Sequence, residues 1–91
     1  MEKFFSYSES LKTEVFNARI GKALEFFRSS LGITQRELAE KMNISRHTVL
    51  NYEYGVNKKK ISFQILSKFL SALDVQLSTF WHHVQTLNDT K

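Results

Sequence analysis

Ninety-one residues, 42% of them hydrophobic, allow one small core and no second domain. With no cysteine and no apolar run of membrane-spanning length, a disulfide framework, a thiolate metal site and a transmembrane helix are all excluded. The formal charge of +4 favours an anionic partner, and it is concentrated: residues 34–60 hold six Lys or Arg against three Glu, a net of +3, whereas residues 1–33 net +1 and residues 61–91 net 0.

The chain opens M-E-K-F-F-S-Y-S-E-S, which lacks the continuous apolar stretch of a signal peptide, so a cytoplasmic protein is expected. Residues 1–15 read as an N-terminal arm or a helix extension, the latter capped by Ser10 and running through Leu11 and Val15; residues 16–88 form the domain. Phe4, Phe5 and Tyr7, with Phe26 and Trp81, supply more aromatic surface than a minimal domain needs. They could meet another subunit, fold back over the domain or belong to an arm that reaches a ligand, and the residues leave these options open. Phe16, Ile20, Leu24, Phe27 and Leu31 make one stripe on a first helix that Gly32 ends.

Residues 34–54 carry the strongest signal. Thr34 and Glu37 have the spacing of a capping box, and Ile33 and Leu38 that of a hydrophobic staple, so a second helix starts at Gln35. Leu38, Ala39 and Met42 give it a buried side, and Asn43 tolerates the left-handed conformation at its end. Ser45 caps a third helix from Arg46, stapled by Ile44 and Val49 and ended by Gly55. Two helices with so short a link leave each other at a steep angle, a helix-turn-helix.

On the third helix Val49, Tyr52 and Glu53 share the packing side, while Arg46, His47, Leu50, Asn51 and Tyr54 share the outer one. That outer side has no acid. Arg can pair with guanine O6 and N7, Asn with adenine N6 and N7, and Leu or a Thr methyl can touch a thymine methyl. The alternative is a solvated face of chance composition. The loop that follows carries Lys58, Lys59 and Lys60, which either contact phosphates or simply solubilise the loop. Ser62 caps a fourth helix with the face Leu66, Phe69, Leu70 and Leu73, stapled by Ile61 and Leu66. Val75 bridges to a fifth, capped by Ser78 and carrying Phe80, Val84 and Leu87.

The run L-G-I-T-Q-R-E-L-A-E-K-M-N-I-S-R-H-T-V-L-N-Y-E-Y-G, followed by I-L-S-K-F-L-S-A-L-D-V, resembles the lambda-repressor-like Cro/CI (XRE) helix-turn-helix family across about residues 20–80. Gln35 stands at the family's Gln, Leu38 and Ala39 at its L-A pair, and Glu53 and Gly55 at its E-x-G. Asn43 departs from the usual Gly, and the loop from Val56 to Lys60 lacks the common Pro, which leaves its path open. The resemblance implies an all-α, compact five-helix bundle with helices 2 and 3 at about 35–42 and 46–54. It also implies an ion pair between Arg28 and Glu53, and a bacterial or phage source.

The resulting expectation is a sequence-specific, DNA-binding transcriptional regulator, a homodimeric repressor on a palindromic operator in double-stranded DNA. Arg46, His47, Thr48, Leu50 and Asn51 would read bases; Thr34, Gln35, Lys58, Lys59 and Lys60 would contact phosphates. The competing expectation is the antitoxin of a toxin pair, whose main role is covering a protein partner, or a restriction-modification controller. No cofactor, metal site, membrane partner or enzymatic activity is expected. His82 and His83 point about 100° apart on a helix with no ligand-spaced neighbour, and no catalytic grouping is visible.

Overall fold

The computed structural model describes residues 12–87, which form five helices and no strand: α1 (Thr13–Leu31), α2 (Gln35–Met42), α3 (Arg46–Tyr54), α4 (Phe63–Leu73) and α5 (Leu77–Leu87). Ser10, Phe4, Phe5 and Tyr7 lie outside the described residues. Lys12 occupies the N-cap position of α1 without a side-chain cap, and the helix runs through Val15.

Local chemistry sets most boundaries. At α2 both halves of the capping box are present: the Glu37 N–H donates to Thr34 Oγ1 at 3.0 Å, and the Thr34 N–H to Glu37 Oε1 at 2.8 Å. Ser45 and Ser62 cap α3 and α4 by accepting the N–H groups of Thr48 and Ile65. Gly32, Asn43, Gly55 and Asp74 close the four helices α1 to α4 in the left-handed region. Asn43 does so at φ 58°, accepting a conformation for which the short Asn side chain is suited.

Helix α1 packs against α3, α4 and α5, and α2 against α3 and α4. Ile20, Ala23 and Leu24 from α1 meet Leu38, Ala39, Val49, Leu66, Phe69, Leu70, Leu73, Phe80 and Val84, all buried. Ile33, Ile44 and Ile61, the outer halves of the three staples, cover this core. Two sequence expectations need correction. Leu31 is 51% exposed, because fifteen residues after Phe16 the stripe has rotated by roughly 60° and α1 is ending. Ser78 is not a cap: α5 starts at Leu77, with the Gln76 carbonyl accepting from the Phe80 N–H, so Ser78 lies inside the first turn. Among the described residues no helix is long and apolar enough to cross a membrane.

Gly21 sits where α1 crosses α3. A Cβ there would lie 2.3 Å from the Glu53 carbonyl oxygen and 2.6 Å from that of Tyr52, so the two backbones touch at this point. The crossing fixes the height at which α3 stands on the bundle.

Candidate functional site

The orientation of α3 rests on one carboxylate. Glu53 is 4% exposed; its Oε2 accepts from Arg28 Nε at 2.6 Å, and its Oε1 from Arg28 Nη2 at 3.1 Å and Gln35 Nε2 at 3.0 Å. Arg28 Nη1 also donates to the Ile33 carbonyl at 2.9 Å. One network therefore joins the end of α1, the turn after it, the start of α2 and the end of α3. The hydrogen bonds that Arg28 donates to Glu53 raise its pKa above the ordinary value, against the opposing effect of burial. A bidentate, charge-assisted pair of this kind specifies angle as well as proximity.

Glu53 is also the only acid on α3, and the network turns it inward. The outer side keeps Arg46, His47 and Tyr54 exposed, the last at 62%, with Thr48, Leu50 and Asn51 half-buried beside them. The Thr48 hydroxyl is engaged at 2.8 Å with Ser45 Oγ, which commits part of its hydrogen-bonding capacity to the cap. Arg46 lines a shallow depression with Thr34, Gln35, Arg36 and Glu37, so the N-terminal ends of α2 and α3 converge there. Helix N-termini carry backbone N–H groups without intrahelical acceptors and attract anions. Gln35 directs its amide to Glu53 and lies half-buried, so what it offers this depression is its backbone. Arg36, exposed in the first turn of α2, is a cation that residue-type reasoning counted but did not single out.

The lysine loop is ordered by a residue that the sequence did not flag. Asn17, 4% exposed on α1, donates through Nδ2 to the carbonyls of Asn57 at 3.2 Å and Lys59 at 2.8 Å, and its Oδ1 accepts the Ile61 N–H at 3.1 Å. Lys58, Lys59 and Lys60 all stand exposed, and Lys60 Nζ lies 5.4 Å from the centroid of the Phe16 ring. A polar residue inside the α1 stripe was the available signal. Beside this loop runs an apolar groove lined by Phe16, Ile61, Phe63, Leu66, Leu77 and Trp81, with Phe63 66% exposed.

His83 stacks on Phe26 with centroids 4.1 Å apart. Burial, with a smaller contribution from the charge of His82, lowers its pKa. Among the described residues no three His, Cys, Asp or Glu side chains group as a metal site.

The arrangement is a rod-like helix with Arg, His and Asn outward, flanked by the start of α2 and by a cationic loop. Its dimensions and chemistry suit a polyanion with readable edges. A family model described as helix-turn-helix matches residues 24–80. Multi-protein-binding factor 1 of Yarrowia lipolytica is 40% identical over 60 residues, an alignment spanning 66% of this chain but 38% of that protein's length. Among solved structures, the clp gene regulator ClgR of Corynebacterium glutamicum superposes with a TM-score of 0.72 at 26% identity, over 84% of this chain and 95% of its own. A mutant of the restriction-modification controller protein C.Esp1396I superposes with a TM-score of 0.70 at 20% identity, over 78% of this chain and 95% of its own, a likeness of fold.

Proposed function

Since this chain belongs to the helix-turn-helix family, of the Cro/CI (XRE) type and a family of DNA-binding regulatory domains, we propose that it is a sequence-specific transcriptional repressor that reads the major groove of duplex DNA as a homodimer. The observation that carries the reading is the inward turn of Glu53. It leaves the exposed side of α3 with base-reading side chains and no carboxylate to repel phosphates. Arg46, His47 and Asn51 carry base selection, with Thr48 and Leu50 secondary. Thr34, the backbone of Gln35, Lys58 and Lys59 hold phosphates on either side, and Lys60, drawn toward Phe16, contributes less. Two copies on a palindromic operator would read half-sites about 34–36 Å apart.

Similarity to a protein named as a gene regulator supports the regulatory role. The apolar groove supports pairing of two copies: Phe63 and Leu77 are 66% and 43% exposed within it. The same groove favours a second reading, an antitoxin or controller whose main task is to hold a protein partner while binding DNA for its own regulation. Sedimentation of the pure chain separates the two, since a dimer in isolation supports the first and a monomer that pairs only with a foreign protein the second. The DNA reading is tested by selecting bound duplexes from a random library and comparing two substitutions. Arg46→Ala should cost about 1–3 kcal/mol and relax preference at one base position, whereas Lys59→Ala should weaken every sequence alike. Equal losses from both on all sequences would refute the base-reading assignment.

A further inference from the structure

Asn17 lies nearer the start of α1 than Arg28, and its bonds serve a loop rather than a helix end. All of its amide chemistry is spent within one short segment: two carbonyls, at residues 57 and 59, and one N–H, at residue 61. Two further contacts from the same turn of α1 reinforce it. Gly55, at φ 69°, starts the loop so close to α1 that a Cβ would lie 2.8 Å from the Ala18 nitrogen and 2.9 Å from the Asn17 carbonyl carbon. The Lys60 ammonium lies over Phe16. Residues 16–18 thus form a floor on which a segment without helix or strand is fixed at three places, with Lys58 and Lys59 exposed between the anchors.

Building on the DNA-binding reading above, we infer that Asn17 is a positioning residue for phosphate recognition: by clamping the backbone of residues 57–61 it holds the Lys58 and Lys59 ammonium groups in place before DNA arrives. A loose loop bearing the same two lysines would have to be ordered on binding, and the entropy of that ordering would be subtracted from affinity. Held in advance, each lysine displaces condensed counterions at a defined phosphate, and this appears as steepness in the salt dependence of binding. Asn suits the task because one side chain offers donors and an acceptor at once, as two inward carbonyls and one inward N–H require.

The test is a double-mutant cycle read in the salt dependence of duplex binding, by fluorescence anisotropy of the full chain with a selected operator duplex. In the native chain Lys59→Ala should flatten the slope of log K against log salt by about 1. Asn17→Ala should flatten it by about 1–2, and adding Lys59→Ala to Asn17→Ala should change it far less than in the native chain. Val84→Ala, a buried change in α5 remote from the loop, should lower the melting temperature and leave the slope unchanged. An unchanged slope in Asn17→Ala, or the full Lys59 effect in both backgrounds, overturns the inference while the DNA-binding reading stands. A native chain with no salt-dependent complex overturns both. If Asn17→Ala does not fold, hydrogen exchange of the Ile61 amide in the native chain decides. Slow exchange in the free protein that persists with duplex bound supports the clamp, and exchange at the rate of an open loop overturns it.

Discussion

Arg28 shows how much one side chain can govern at the scale of the residue. Its side chain is 12% exposed and that of Glu53 1%, so removing either leaves a charge in a site built for two. Arg28→Ala should therefore destabilise the fold by about 3–5 kcal/mol in urea titration, and weaken DNA binding beyond what unfolding accounts for, because α3 loses its fixed angle. His83 gives a pH dependence of known sign. Burial against Phe26 lowers its pKa in the folded chain, so the folded state takes up fewer protons than the unfolded one. The stability it contributes is present above the unfolded value, about 6.5, and is lost as pH falls through and below it. Lys22 and Glu25 line the same depression and His82 adjoins it; a fall in melting temperature on acidification from pH 7.5 should shrink in His83→Phe, which keeps the ring stack without the ionisation. The ion pair came from a likeness to relatives, since two residues far apart in sequence give no local sign that they meet. The third member, Gln35, was read as a phosphate ligand, and only the packing of α2 against α3 reveals that its amide faces Glu53.

Elements were legible where the reason for a boundary is local. Thr34 with Glu37, Ser45, Ser62, Gly32, Asn43 and Gly55 each start or stop a helix through bonds within a few residues, and the structure places them in those roles. What depends on contact between distant elements was not legible. Gly21 reads as an ordinary helical residue until α3 is laid across it, and Asn17 reads as a blemish in an apolar stripe until the lysine loop folds onto it. Gly21→Ala is accordingly a sharper test of the α1–α3 crossing than any larger truncation. Its added methyl group meets backbone rather than a yielding side chain, so a loss of about 1–3 kcal/mol or more is expected in thermal unfolding, with hydrogen-exchange protection falling first in α3.

Across the whole molecule, one small core holds two N-terminal helix ends, one acid-free helix face and one lysine loop in a fixed relation. The concentration of net positive charge in residues 34–60 is what made the site visible from the sequence. The groove at Phe63, Leu77 and Trp81, proposed above as the surface on which two copies pair, is lined by residues that look in sequence like any core aromatic or aliphatic. The most direct measurement is selection of duplexes from a random library by the native chain, followed by titration of the enriched sequence between 50 and 200 mM salt, conditions over which phosphate-contacting proteins lose affinity by orders of magnitude. The proposed homodimeric reader should enrich a two-fold symmetric site and lose affinity log-linearly with salt. Recovery of unenriched, asymmetric sequences whose binding ignores salt would contradict the assignment of α3 and its flanks as a DNA-reading surface.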